Sequence, residues 1–514
     1  MDAIELSLFS SRIEAVCEEM GAVLRRTAFS PNIKDRLDFS CAVFDSGGQL
    51  CTQAAHIPVH LGSMAYAMRD IVGSLSWTDG DMVVVNDPFL GGTHLPDVTV
   101  IAPLFVDGQL IGFVANRAHH ADIGGQSPGS MPISRHLEEE GVVIPPSYLL
   151  QEGVLNEELL KRILGATGNS HELHGDFAAQ ISANRSGVVR LGELVSSMGC
   201  EAYLQALREL NDYAERLARA ALADIPDGDY RFNDWLDDDG LGNSDLVIVA
   251  TVRIDGGNIE VDFKGTAAQT EGNVNCPLSV AAAGVYYVFR CLMPEHTPAC
   301  AGAFRPITIS APKGSLLNAE RPAAVAAGNV ETSSRVVDVV CGALAQAIPE
   351  RIPAASHGSM NNLAMGARGE AGRWDYYETM GGGMGAGAEG GGHSALQTHM
   401  TNTLNTPIEV LEMNYPLRLL RYAVRRGSGG DGCRPGGDGL VREFEFLAPA
   451  QVTLLTERRR HAPWGLAGGA PGAVGENRLN GELLPAKTTV AVAAGDRLNV
   501  ATPGGGGWGD KGSC

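Results

Sequence analysis

Runs of consecutive glycine constrain this chain more than any other feature. Gly381-Gly382-Gly383, Gly390-Gly391-Gly392 and Gly504 to Gly507 contribute to 65 glycines in 514 residues, well above the average usage of about 7%. A segment without Cβ atoms can take positive φ or let another backbone lie against it, and it disfavours helix. Turns and close backbone contacts are therefore expected in the C-terminal half. With 44% hydrophobic and 19% charged residues the chain can still bury a large core, in two or three closely packed subdomains.

A formal net charge of -21 and a pI near 5.0 argue against nucleic acid or an anionic membrane, which need clustered lysine and arginine. No apolar run reaches the roughly 18 residues of a membrane span. The first residues, MDAIELSLFSSRIEAVCEEM, carry acids where a secretory signal has a basic end, so a cytoplasmic protein is expected. Ten cysteines without a C-x-x-C pair indicate neither a zinc ribbon nor a disulfide framework.

Apolar residues spaced by three and four predict an amphipathic helix over 4–27, and Leu204, Leu207, Leu210, Tyr213 and Leu217 predict another. Phe39, Cys41 and Val43, then Asp45-Ser46-Gly47-Gly48 and Leu50, read as a hairpin with Asp38 at its open end. A second hairpin joins Val98 to Phe105 and Gln109 to Ala115 through Asp107-Gly108, a pair suited to a two-residue I′ turn. In that register Val106 faces Gln109, His94 lies opposite Ala121, Pro96 opposite His119 and Asp97 opposite Ala118. His94 and His119 then share a face, His120 points away, and Asp97 has the wrong parity. Residues 126–185 read as surface connections and short helices. The pattern shifts near 227, giving expected domains 1–226 and 227–514. The second holds strands at 246–254 and 259–263, helices at 280–291 and 333–348, and short strands over 440–500. The expected fold class is α+β, with mixed sheets, hairpins and flanking helices.

The second hairpin gathers His94, Asp97, His119, His120 and Asp122, and the first brings in Asp38. Mixed nitrogen and oxygen donors without thiolate suit a divalent transition metal such as zinc or manganese; the other reading is a hydrogen-bonded polar cap without metal. His56 and His60, among apolar residues, read as structural histidines, the alternative for one of them being an outer-shell or acid-base role near Asp38. Gly385 to Gly390 matches G-x-G-x-x-G, but no clear helix follows, and neither a phosphate-binding G-x-x-x-x-G-K-[ST] nor a G-x-S-x-G elbow occurs. If ATP is used, another polypeptide is expected to bind it.

Several motifs together resemble the hydantoinase B/5-oxoprolinase B-type family. They are Arg25 to Lys34 followed by Asp38-Phe39-Ser40-Cys41-Ala42; Asn86-Asp87-Pro88; Gly91-Gly92-Thr93-His94-Leu95-Pro96-Asp97; His119-His120-Ala121-Asp122-Ile123-Gly124-Gly125; Gly328-Asn329-Val330-Glu331-Thr332; and Asn405-Thr406-Pro407-Ile408-Glu409. The resemblance implies a subunit working with an A-type, ATP-binding partner (hydantoinase A/oxoprolinase-like) on a lactam or cyclic imide. It implies a metal held by His94, Asp97 and His119, with Asp38 a further ligand in some members. His120 or Asp122 would then orient His119 or accept a proton. Relatedness to acetone and acetophenone carboxylases keeps a ketone-carboxylase role open, as well as a non-catalytic role in shaping the partner's tunnel. Lys264, where the family pattern favours a small residue, bears on substrate identity.

Overall fold

The computed structural model describes residues 1–512 apart from Ala55, Glu370 and Ala371, so Cys514 lies outside the described residues. Helix α1 (Ala3–Thr27) starts at a capping box in which the Asp2 carboxylate accepts from the Glu5 amide and the Glu5 side chain accepts from the Asp2 amide. It buries Leu6, Phe9, Ile13, Val16, Met20 and Leu24, the stripe expected from its spacing.

After the short α2 (Pro31–Lys34) comes a seven-stranded antiparallel sheet. Its strands are β1 (Phe39–Asp45), β2 (Leu50–Gln53), β3 (Met82–Val85), β4 (Asp97–Val106), β5 (Gln109–His119), β6 (Ser147–Gln151) and β7 (Val154–Leu155), in the order β2-β1-β5-β4-β3-β6-β7. Both faces are covered. Cys41, Val43, Val98, Val100 and Val114 pack towards α1, while Ala42, Phe44, Ile101 and Phe113 pack against Met64, Met68 and Ile71 of α3 (Pro58–Gly73). Burial on two sides explains why these strands read as nearly unbroken apolar runs.

The stretch expected to be loops and short helices instead holds α4 (Glu157–Gly165) and the long α5 (Ser170–Met198), followed by α6 (Cys200–Leu222). Helix α5 lies across β4 and β5. Its buried stripe is partly polar, with Asp176, Gln180 and Asn184 at successive four-residue steps, and this hides the apolar periodicity. Each finds partners. Asp176 accepts from the Phe29 and Ser30 amides, Gln180 donates to Val98 O at 2.9 Å, and Asn184 donates to Val100 O at 2.9 Å.

A second sheet, β11-β10-β9-β8, contains β8 (Gly228–Asp238), β9 (Ser244–Asp255), β10 (Asn258–Asp262) and, parallel to β10, β11 (Ile307–Ser310). Helices α7 (Leu278–Cys291), α8 (Ala301–Phe304) and α9 (Ser333–Leu344) follow in sequence, and α7 packs on α3. The last third carries β12 (Asn362–Gly369), β13 (Gly372–Glu378), α10 (Ile408–Asn414), β14 (Leu417–Arg425), β15 (Gly439–Phe446), β16 (Ala450–Leu455), β17 (Glu476–Leu479), β18 (Glu482–Leu484), β19 (Lys487–Val492) and β20 (Arg497–Ala501). They form the sheets β13-β12-β16-β19 and β14-β15-β20-β17-β18. No helix among the described residues is long and apolar enough to cross a membrane.

The glycine runs pack as bare backbone. Gly505 N donates to Gly437 O at 2.9 Å, Gly437 N to Met384 O at 2.8 Å, and Gly430 N to Gly505 O at 2.8 Å. A Cβ built on Gly505 would lie 2.1 Å from Met384 O, and one on Gly383 would lie 2.0 Å from Gly437 O. None of Gly381–Gly383, Gly390–Gly392 or Gly504–Gly507 has positive φ. Close approach is therefore the use of these glycines. Gly385, the first glycine of the G-x-G-x-x-G match, belongs to the same stack, its missing Cβ facing Ala354 O.

Candidate metal centre

The second hairpin turns as expected at Asp107-Gly108, both with positive φ, and Val106 pairs with Gln109. A β-bulge then shifts the register. Phe105 pairs with Leu110 but Leu104 with Gly112, so Ile111 is an extra residue on β5. From there inward every pairing differs by one from the ideal hairpin, and Asp97 opposes His119 rather than Ala118. This corrects the parity assigned to Asp97: it shares a face with His119, the face towards α3. His120 faces α5, where its Nε2 lies 3.0 Å from Gln180 Oε1 and its ring packs on Phe177.

His94 enters from the turn preceding β4. Its Nδ1 lies 3.2 Å from Ala326 O, a contact that puts the ring proton on Nδ1 and leaves Nε2 as a lone pair. Asp97 Oδ2 accepts from Thr93 Oγ1 at 2.6 Å and from Asn329 Nδ2 at 3.1 Å. Asn329 is carried by a π-helical turn, Gly328–Thr332, the local geometry often found where a helix serves a site. His119 Nδ1 lies 3.2 Å from Asn32 Nδ2, so ligation through Nε2 requires the Asn32 amide turned to present Oδ1 to an Nδ1–H; the ring stacks on Tyr377 at 4.7 Å with an interplanar angle of 2°. Arg36 ties these together, donating to Tyr377 O at 2.7 Å and Asn32 Oδ1 at 3.3 Å.

Each of His94, Asp97 and His119 keeps one buried side-chain atom without a hydrogen bond, Nε2, Oδ1 and Nε2 respectively, as do Asn329 at Oδ1 and Arg36 at Nε beside them. Donor atoms of the same three residues lie within 4.8 Å of one another, the one such metal-capable group among the described residues. Orphaned polar atoms in a core are costly, and two nitrogens with one carboxylate oxygen are a donor set for zinc or manganese. The residues fit such an ion. The electrostatics point the same way. Burial opposes ionisation of Asp97, yet His60 and His94 hold its carboxyl well below the usual range. Burial lowers His94, but Asp97 outweighs it and the net shift is upward. Burial, then the charge of His94, keeps His119 well below the usual imidazole range.

Asp38, predicted as a further ligand, stands beside this group and not in it. Its Oδ1 is 3.8 Å from His60 Nε2 and its Oδ2 3.8 Å from Arg36 Nη2, and burial raises its pKa. His60, expected to be merely structural, reaches the centre from α3: its Nε2 is 3.2 Å from Asp97 Oδ1 and its Nδ1 3.4 Å from Ser40 Oγ. The available signal was a histidine and a serine, His60 and Ser63, three apart in the apolar first half of the helix; Ser63 Oγ accepts from Arg117 at 2.7 Å. Asn32, Arg36, Asn329 and Tyr377 were not singled out as site residues, although Asn32 and Asn329 lie in the quoted motifs.

The orienting roles expected of His120 and Asp122 do not match their positions. Asp122 Oδ1 accepts from Gly124 N at 2.8 Å and Ser130 Oγ at 3.0 Å, and Oδ2 accepts from Gly168 N at 2.9 Å and faces Arg373 at 3.3 Å. It latches the loop leaving β5 to the segment before α5, while Asn32 holds His119. Asp122→Asn replaces an acceptor with a donor facing Gly168 N–H, and is expected to lower stability by about 1–3 kcal/mol in denaturant unfolding while bound metal is unchanged. Metal loss without a change in stability would return Asp122 to the site.

A family model described as Hydantoinase B/oxoprolinase matches residues 2–511. The 5-oxoprolinase 1 of Arabidopsis thaliana is 40% identical over 544 residues, covering 99% of this chain and 42% of its own. The B-type chain of a putative D-/L-hydantoinase from Pseudomonas sp. strain NS671 is 33% identical over 537 residues, covering 99% of this chain and 90% of its own. The chain thus spans about two fifths of the Arabidopsis, Dictyostelium and Saccharomyces 5-oxoprolinases, at 42%, 41% and 42% of their lengths. Among solved structures, the ATP-dependent caprolactamase from Pseudomonas jessenii superposes with a TM-score of 0.93 at 30% identity, over 99% of this chain and 91% of that one. A nucleotide-free acetone carboxylase gives 0.89 at 19% identity over 99% and 76%, a likeness of fold.

Proposed function

This chain belongs to the hydantoinase B/oxoprolinase family, and from that premise we propose that it is the metal-bearing B-type subunit of an ATP-dependent cyclic-amide hydrolase. The observation that carries the reading is the trio of unpaired buried donors, His94 Nε2, Asp97 Oδ1 and His119 Nε2. An A-type partner binds ATP and phosphorylates the carbonyl oxygen of a lactam or cyclic imide, which removes amide resonance. The activated compound is then hydrolysed at this chain, with ring opening and release of phosphate. Zinc or manganese, when bound, supplies Lewis acidity that brings the pKa of water towards about 7.

The residues of the chain do the rest. His94, Asp97 and His119 would hold the metal; Ala326 O, Asn329 and Asn32 contact their side chains and would fix their orientation. His60 lies against Asp97 Oδ1, the oxygen that would be offered to the metal, and beside Asp38. The surrounding core excludes bulk water: His94 and Asp97 are fully buried and His119 is nearly so. His60→Ala is expected to weaken metal binding by about 10–100-fold, the scale for groups that support a ligand, as read by competition with a chelator. Unchanged affinity would return His60 to a structural role.

The test of the function is reconstitution with an A-type partner, ATP and metal, omitting each in turn. Ring opening that requires all three supports the proposal. Bicarbonate-dependent consumption of a ketone without lactam hydrolysis would assign the chain to a carboxylase instead, and full activity after removal of the Asp38, His94 and His119 side chains would leave a structural role only.

A further inference from the structure

The edge strand β14 has its far side unpaired, since the sheet order begins with it. Its register against β15 puts Tyr422 opposite Arg442 and Val424 opposite Leu440, so both side chains lie on the face that carries the apolar core. That core face runs out from under its cover here. Leu420 at the bulge, Tyr422 and Val424 are 39%, 48% and 41% exposed. Leu404, 53% exposed, adjoins them through Asn405, whose side chain accepts from Tyr422 Oη at 3.1 Å. The other face of β14 is basic. Arg418 pairs with Glu445 at 3.3 Å and Arg421 lies opposite Glu443, but among the described residues the exposed Arg421, and Arg426 just beyond the strand, have no side-chain hydrogen bond or ion pair. Unpaired arginines beside an exposed apolar strip stand out on a chain with a net charge of -21.

Resting on the function proposed above, we infer that this edge is the docking surface of the A-type partner, which lays acidic and apolar side chains against β14. Charge decides between occupants. A second copy pairing β14 with β14 about a two-fold axis would align the two arginine rows, which repel; a different chain with acidic residues neutralises Arg421 and Arg426. Position agrees. Leu404 N donates to Arg36 O at 3.0 Å, and Arg36 is the residue that ties Asn32 and Tyr377 around His119. The strip is thus one hydrogen bond from the frame of the metal centre, where a chain that hands over an activated substrate has to sit. In the longer 5-oxoprolinases a larger remainder of polypeptide accompanies this region in the same chain.

The experiment measures binding of a purified A-type chain from the same organism to the full-length protein by sedimentation velocity, with metal content determined in parallel. Two variants probe the two faces, Leu420→Asp/Val424→Asp and Arg421→Glu/Arg426→Glu. Val154→Asp, an exposed apolar site on β7 at another sheet edge, is the control. At least a tenfold weaker association in both double variants, with metal content retained and the control unchanged, is the expected result. Binding equal to wild type in both would overturn the inference and leave an edge merely guarded by arginine against self-pairing. Equal weakening by the control, or no association of the wild type, would overturn it too. Association through β14 without ATP-dependent ring opening would instead reject the function while the interface stood.

Discussion

Wild-type protein is expected to hold near-stoichiometric zinc or manganese and, with its partner, to open a ring at the expense of ATP; His94→Ala and His119→Ala are each expected to lose the metal and to lower ring opening by more than about a hundredfold. The magnitude follows from comparison: groups that only support a metal ligand are worth about 10–100-fold, and these side chains supply two of the three donor atoms of the His94, Asp97 and His119 group. Truncation removes the donor and leaves Asp97 Oδ1 with one imidazole fewer across the gap. His120→Ala is the matched control, since that ring spends its Nε2 on Gln180 on the opposite face of the sheet. Elemental analysis of all three proteins beside wild type decides the point before any substrate is known. Undiminished turnover by a demonstrably metal-free His94→Ala protein would sink the mechanism. No bound metal in wild type after supplementation would leave the fold and family intact and bring the non-catalytic reading forward.

The other large effect lies in the glycine stack. Gly505→Ala places a methyl group 2.1 Å from Met384 O and 2.3 Å from Met384 C, backbone atoms that cannot swing aside as a side chain could. The two segments have to part, which strains the bonds Gly505 N to Gly437 O and Gly437 N to Met384 O. Each buried amide left unpaired costs about 1–3 kcal/mol, so the two together give an expected loss of about 2–6 kcal/mol, reaching the range of specific structural failures. Gly387→Ala in the same region has no atom within 4 Å of the new Cβ and no positive φ, and should stay within about 0.5 kcal/mol. Denaturant midpoints and soluble yield measure both. Comparable stability of the two variants would mean that the stack can open without penalty.

Much of the centre was legible because its ligands sit on one local element. The hairpin turn at Asp107-Gly108 and the gathering of His94, Asp97, His119, His120 and Asp122 at its open end follow from short-range pattern; the choice of His94, Asp97 and His119 among them came from the family resemblance. The parity of Asp97 did not, because the bulge at Ile111 responds to packing of β5 against β1, where Gly112 approaches Phe44 O. Helix α5 was missed because its core stripe is written in Asp176, Gln180 and Asn184, residues that read as exposed until the strand carbonyls they satisfy are known. His60, Asn329 and Tyr377 converge on the site from a separate helix, a π-helical turn and a strand. Motif resemblance pointed to one of those segments; only tertiary structure joins all three.

The glycine stack also sets how the protein responds to temperature. What it hides from water is amide rather than hydrocarbon, and exposing polar surface lowers the heat capacity of unfolding by about 0.26 cal/K/mol per Å², whereas apolar surface raises it by about 0.45. The region around Gly383, Gly437 and Gly505 therefore makes the stability curve of the whole chain flatter than its 514 residues would suggest. Its hydrogen-bonded backbone should keep its strength on cooling, where the apolar sheets beside it begin to lose theirs.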